Sequence, residues 1–177
     1  MELITKASYS GEVSEREKRN LEIAYRAACE SMVLLKNEGV LPLQTKKVAL
    51  YGPGVTRTIK GGTGSGEVNE RHSVTILEGM ENRGFEITTR QWLQDYEAAY
   101  EEGEIAHKKA QRDIVKLIKS KSFMEMMLKG YTPPAGRAIT EMDIAESDTD
   151  TAIYVLSRQA GEGSRNRTVY VKAALYA

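Results

Sequence analysis

The chain has 177 residues and a mass of 19.7 kDa, enough for one domain with a sizeable core. Its apolar content of 41% and charged content of 28% are those of an ordinary globular protein. With 25 Lys and Arg against 25 Asp and Glu, no net field concentrates polyanions, so neither nucleic acid nor a membrane is expected as a partner.

Nothing near Met1 has a basic flank followed by an apolar signal core, and no apolar run reaches the ~18 residues of a membrane span. A cytoplasmic location is the expectation. The first element in chain order is a helix from about Ser14 to Asn37. Ser14 and Glu17 have capping-box spacing, and Leu21, Ala24, Tyr25, Ala28, Met32 and Leu35 recur at helical spacing. The single Cys29 lies within that apolar pattern, which predicts a buried thiol, and it excludes an intrachain disulfide. Gly39 is expected to close the helix, and Leu41-Pro42-Leu43 to lead out as an extended linker.

Lys47 to Tyr51 is predicted to be a short buried strand, followed at once by Gly52-Pro53-Gly54. A strand that ends in glycine is where open α/β sheets place their ligands. After a first glycine-rich loop, Gly61-Gly62-Thr63-Gly64-Ser65-Gly66, a helix is predicted from Val74 to Arg83 and a strand from Phe85 to Thr89 with alternating Phe85, Ile87 and Thr89. Residues 91–130 are long, charged and rich in Glu, Lys and Ala, and are expected to form two or three helices of an insertion, with Met124, Met126, Met127 and Leu128 as a packing face. Pro133-Pro134 excludes regular helix, and Thr140 with Asp143 offers a cap for a short helix to about Glu146. Ala152 to Leu156 is the best strand in the chain, and it runs into a second glycine-rich loop, Gly161-Glu162-Gly163-Ser164-Arg165-Asn166-Arg167. This alternation of helices and strands predicts the α/β class, with a mainly parallel sheet flanked by helices.

Several chemistries fail against these residues. A dinucleotide site requires a third glycine where Arg57 stands after Gly52-x-Gly54, and a Walker loop requires Lys where Glu67 follows Gly66. His72 and His107 are far apart and show no metal-ligand spacing, so both are expected at the surface. Trp92 is expected to be a core aromatic rather than a sugar platform. Glu162 stands between two glycines at a strand end, where burial in a cleft would raise its pKa toward that of a general acid. The competing reading is an incidental charge on a solvated turn. Arg165 and Arg167 are either exposed charges or groups that orient a substrate.

The run from Ala24 to Leu43, with Leu34-Leu35-Lys36-Asn37 and Leu41-Pro42-Leu43, resembles the start of the second, α/β sandwich domain of glycoside hydrolase family 3, the β-glucosidase family. Lys47 to Gly54 resembles that domain's first strand and loop, Gly61 to Gly66 its glycine turn, and Ala152 to Gly163 its strand leading to Gly-Glu-Gly. The resemblance implies a three-layer sandwich over residues 1–177 with a helical insertion at 91–130. It further implies that Glu162 is the acid/base of a retaining hydrolysis whose Asp nucleophile stands on a (β/α)8 barrel domain. The glycines and hydroxyls of Gly61, Gly62, Thr63, Gly64, Ser65 and Gly66, with Arg165 and Arg167, would line the pocket of a β-linked glucoside or oligosaccharide, and no metal or organic cofactor is implied. A chain of this length has no room for eight βα units beside a sandwich, so on its own it is expected to be inactive. The nearness of the first helix to Met1 points to a parent with reversed order, sandwich first and barrel second.

Two departures stand out. The family usually has Asp-Arg shortly after Gly-Glu-Gly, where this chain has Ser164-Arg165-Asn166-Arg167, and after Thr168 the sequence diverges. A sheet ending there would leave an open edge, through which a homo-oligomer is expected. The alternative function is a non-catalytic module of the same fold that binds a carbohydrate or a partner chain. A nucleotide-binding α/β protein is the least favoured reading.

Overall fold

The computed structural model describes residues 11–61, 72–115 and 131–157. The chain divides into two compact units, Met1–Leu43 and Gln44–Ala177.

The first unit contains helix α1, Glu15–Ser31. Its start is the predicted capping box: the Glu17 amide donates to Ser14 Oγ at 3.3 Å, and the Ser14 amide donates to the Glu17 carboxylate at 2.8 Å. Two of the amides that a helix start leaves unpaired are thereby satisfied. The helix ends earlier than the apolar spacing predicts, because Met32 is already extended, with φ −76° and ψ 126°. Downstream, the Asn37 side chain accepts from the amides of Gly39 and Leu41 and donates to the Leu41 carbonyl at 2.6 Å. An asparagine that bonds its own neighbours competes with helix, so the segment after Ser31 turns around Asn37 instead of extending α1. No residue of α1 is buried. Cys29 is therefore exposed, contrary to the burial its apolar setting suggested.

The second unit is built on a parallel sheet in the order β2-β1-β3. Strand β1, Lys47–Tyr51, lies at the centre, with β2, Glu86–Ile87, on one side and β3, Ala152–Tyr154, on the other. Val48, Ala49, Leu50 and Tyr51 are all buried. Successive side chains point to opposite faces, so both faces of β1 are covered, as a parallel sheet requires. Helix α2, Ile76–Asn82, is capped by Thr75 and followed by the turn at Gly84. The strand expected over 85–89 is shorter, Glu86–Ile87, but its alternation shows in the burial of Ile87 and Thr89, with Phe85 half-buried.

Thr89 closes the sheet in an unusual way. Its hydroxyl accepts from the Leu50 amide at 2.9 Å and donates to the Leu50 carbonyl at 2.6 Å, so a side chain takes the place of a backbone partner. Its own carbonyl accepts from the Leu93 amide at 3.3 Å, which opens helix α3.

Helix α3, Arg90–Val115, runs unbroken for 26 residues through the described part of the 91–130 stretch, and the rest of that stretch, where a second or third helix is expected, lies outside the described residues. At Gly103 the Tyr131 hydroxyl occupies the space a Cβ would need and donates to the Tyr100 carbonyl at 3.0 Å. The methionine cluster at 124–128 lies outside the described residues. Trp92, Leu93 and Tyr96 of α3 complete the core. Trp92 meets Tyr51 edge-on at 5.6 Å and stacks on Tyr96 at 6.2 Å, confirming it as a core aromatic. Gly136, with φ +88°, lies so close beneath Trp92 that a Cβ there would be 2.9 Å from the indole.

Helix α4, Glu141–Glu146, starts at the predicted Thr140–Asp143 capping box. Asp143 also receives both terminal nitrogens of Arg137 at 2.7 Å, while Arg137 Nε reaches Asp95 of α3 at 2.9 Å. One guanidinium thus ties the 131–140 loop to α3 and α4, and its hydrogen bonds hold the Asp143 carboxyl well below the usual range. The Tyr51 hydroxyl donates to the Asp143 carbonyl at 3.2 Å, joining α4 to β1.

Candidate functional site

Strands β1 and β3 are parallel neighbours, paired Ala49 to Ala152, Leu50 to Ile153 and Tyr51 to Tyr154. Their carboxyl ends therefore finish side by side, at the edge where α/β sheets bind ligands. The pairing continues past the last strand residue: the Val155 amide donates to the Tyr51 carbonyl at 2.8 Å, and the Gly54 amide donates to the Val155 carbonyl at 3.3 Å. Only glycine fits in the β1 exit. A Cβ on Gly52, whose φ is +98°, would overlap the Val155 carbonyl oxygen and lie 2.9 Å from the Tyr154 ring. A Cβ on Gly54 would lie 2.6 Å from Val155 Cγ1.

The exit from β1 folds into a tight, cross-bonded stem. The Val55 amide returns to the Gly52 carbonyl, the Arg57 amide to the Pro53 carbonyl, and Thr58 Oγ1 donates to the Gly54 carbonyl at 2.8 Å. Thr58 Oγ1 also accepts from the Ile76 amide at 3.0 Å, and the Leu77 amide donates to the Val55 carbonyl at 3.0 Å. Both ends of the stretch that contains Gly61 to Gly66 are thereby closed against each other at the start of α2.

Arg57, which sequence reasoning used only to exclude a dinucleotide site, is a structural cation of this stem. Its Nε donates to Glu97 Oε1 at 3.2 Å, Thr56 Oγ1 donates to the same carboxylate, and the guanidinium lies 4.2 Å over the Tyr100 ring. Burial opposes its charge, but its hydrogen bonds to Glu97 and the nearby negative charges outweigh that and hold its pKa above the ordinary value. Because Arg57 and Glu97 are 40 positions apart, no local motif announces the pair. The neighbouring Tyr96 hydroxyl is pushed up to about 12 by burial, then by Glu97, so it remains protonated.

Of the predicted site residues, Gly61 stands exposed just beyond this stem. Gly62, Thr63, Gly64, Ser65 and Gly66 lie outside the described residues, as do Glu162, Arg165 and Arg167. The structure thus brings together the stems that lead in sequence to the two glycine loops. His72 is exposed and bonded to Glu78 at 3.0 Å, as a surface residue would be, whereas His107 is half-buried with its ring 5.7 Å from Tyr131.

Residues 32–174 match the profile of the family described as the glycosyl hydrolase family 3 C-terminal domain. Beta-glucosidase A of Butyrivibrio fibrisolvens is 31% identical over 156 residues, which span 87% of this chain and 17% of that protein. The structure of beta-glucosidase 3B from Thermotoga neapolitana in complex with α-D-glucose superposes with a TM-score of 0.57 at 31% identity, covering 89% of this chain and 20% of that one. The same enzyme in complex with glycerol gives 0.54 at 31% identity, covering 87% and 19%. The chain therefore spans about a fifth of the length of the relatives it matches.

Proposed function

This chain belongs to the glycosyl hydrolase family 3 C-terminal domain family, and from that premise we propose that it forms one wall of a retaining β-glucosidase-like active site. Residues 1–177 make up the sandwich domain, with 91–130 inserted into it, and a (β/α)8 barrel provides the other wall and the Asp nucleophile. Glu162 is the acid/base. In the first step the barrel carboxylate bonds to the anomeric carbon, the glycosidic C–O bond breaks, and the Glu162 proton passes to the departing oxygen. In the second step water attacks the anomeric carbon and gives its proton to Glu162, and the bond to the Asp breaks. In such a mechanism the two carboxyl groups stand ~5 Å apart, a spacing that docking of the two domains has to supply.

The observation that carries this reading is the pairing of the β1 and β3 exits, with the Val155 amide 2.8 Å from the Tyr51 carbonyl. It starts the chain toward Gly61–Gly66 and the chain toward Gly161–Gly163 from adjacent points on the sheet edge. In the proposed site, Gly61 to Gly66 wall the sugar, Arg165 and Arg167 orient its hydroxyls, and the substrate is a β-linked glucoside or oligosaccharide. The beta-glucosidase 3B structure in complex with α-D-glucose supports that substrate class. A cytoplasmic location and self-association through a sheet edge complete the proposal.

The test is Glu162→Gln in the domain assembled with its barrel. Hydrolysis of an alkyl β-glucoside should fall by about 10²- to 10⁴-fold, the ordinary contribution of a general acid, with sugar binding retained. Unchanged hydrolysis would overturn the assignment of Glu162. Hydrolysis of an aryl β-glucoside at an enzyme-like rate by the isolated chain would overturn the need for a barrel nucleophile.

A further inference from the structure

We propose that this chain pairs with a second copy of itself by strand addition, with the run Met32–Leu35 of one copy lying antiparallel along the outer edge of β3 in the other. The pairing rests on the self-association through a sheet edge set out above, and it names the two segments that meet. Strand β3 is outermost in the order β2-β1-β3. Thr151 and Val155 turn their backbone toward β1: the Thr151 carbonyl accepts from the Ala49 amide at 2.9 Å, and the Val155 amide donates to the Tyr51 carbonyl at 2.8 Å. Backbone groups alternate sides along a strand, so those of Ala152, Tyr154 and Leu156 face outward, where no strand pairs with them among the described residues. Such a row of free amides and carbonyls is a template for another extended chain. The second segment follows α1. Met32 is extended, and Val33, Leu34 and Leu35 are 75%, 62% and 93% exposed, with no backbone hydrogen bond among the described residues. An uninterrupted apolar run of that length has the pattern of a buried strand. One copy thus carries both an extended apolar segment without a ladder and a ladder without its next strand.

Charges at the ends of the two segments set the direction. Lys36 directly follows the run, and Asp150, which is exposed, shortly precedes β3. Antiparallel pairing sets Lys36 opposite Asp150, Leu34 opposite Ala152 and Met32 opposite Tyr154, so opposite charges meet and apolar side chains share a face. A parallel approach that kept Met32 and Leu34 on the same two edge residues would set Glu30 against Asp150. Within one copy Lys36 bonds Glu38 at 2.7 Å, but those side chains are 78% and 74% exposed, and an ion pair so exposed changes partners at little cost. Each copy supplies one run and one edge, so two such pairings close a two-fold dimer.

The experiment is sedimentation velocity of the 177-residue chain over a concentration series up to about 200 μM, the range in which small interfaces associate. The wild-type chain should be a dimer at the upper end. Leu34→Pro removes the amide that would bond to the edge of β3, and should leave only monomer over the whole series. Lys36→Glu and Asp150→Lys should each weaken the dimer by about 10-fold, because like charges then face each other at both pairings. An equal mixture of those two variants should regain the wild-type dimer, since each pairing in the mixed dimer again joins opposite charges. Leu34, Lys36 and Asp150 are all exposed, so the three variants should keep the wild-type circular dichroism spectrum. A wild-type chain that stays monomeric throughout sinks the self-association and this inference with it. A wild-type dimer that survives Leu34→Pro leaves the self-association standing and sinks this inference alone. Failure of the mixture to regain the dimer that each charge variant has lost overturns the antiparallel pairing between copies.

Discussion

Helix α1 has 17 residues, both halves of a capping box and no buried side chain, whereas β1 has five residues, of which four are buried. The helix is drawn by bonds between residues three apart: Ser14 with Glu17, Lys18 with Glu15 at 2.7 Å, and Ser31 with the Ala28 carbonyl at 3.0 Å. The strand owes its place to residues some 40 and 100 positions away, in β2 and β3. Local bonding suffices to shape a segment but adds only tenths of a kcal/mol to about 1 kcal/mol per contact, while burial contributes several times more per large side chain.

The widest gap between the two regions should come from Trp92→Ala. Removing an indole that packs on both Tyr51 and Tyr96 should cost about 3–5 kcal/mol in urea unfolding of residues 44–177. A cost below 1 kcal/mol would mean that the core is not organised around that ring. A smaller effect is expected at Asp143, whose side chain is 13% exposed. Its folded pKa is depressed, first by Arg137 and then by Thr140, so the stability it supplies is present above the unfolded value near 3.8 and is lost as the pH falls below it. Asp143→Asn should destabilise at pH 7 by about 1–2 kcal/mol and make the acid limb of the stability profile shallower. An unchanged acid limb would remove Arg137 as the tie between α3 and α4. The smallest effect belongs to α1: Ser14→Ala should cost about 1 kcal/mol, measured as faster hydrogen exchange over the first turn of that helix. A loss as large as that at Trp92 would show that α1 is not held by local bonds.

The same contrast explains what could be read in the sequence. Strand β1 was legible because a run of apolar residues ends abruptly at Gly52-Pro53-Gly54, and the short helix Glu141–Glu146 was legible from its Thr140 cap. The end of α1 was not, since the apolar spacing continues through Leu35 while the competing bonds of Asn37 leave no periodic mark. Burial of Cys29 was inferred from a pattern that only tertiary contacts make meaningful. Of the candidate site, the two glycine-bearing exits were visible as strand ends, but their adjacency depends on a parallel pairing across about 100 positions. The Arg57–Glu97 and Arg137–Asp95 pairs were equally invisible, being made between segments with no periodicity in common. Gly103 was equally silent in the sequence, and only the structure shows that its missing side chain leaves room for the Tyr131 hydroxyl.

Thr89 belongs to two elements at once, its hydroxyl completing the hydrogen bonding of Leu50 while its carbonyl begins α3. The connection from sheet to helix consequently has no residue to spare. Most α/β junctions absorb a residue more or less in a loop of two to six. Here a single insertion between Thr88 and Arg90 would separate the hydroxyl from Leu50 or the carbonyl from Leu93. The helix cannot slide along its axis without unzipping the sheet, and Trp92 and Tyr96 inherit their height above β1 from one side chain. For anyone grafting or shortening this domain, that junction is the place where the chain cannot be cut and rejoined.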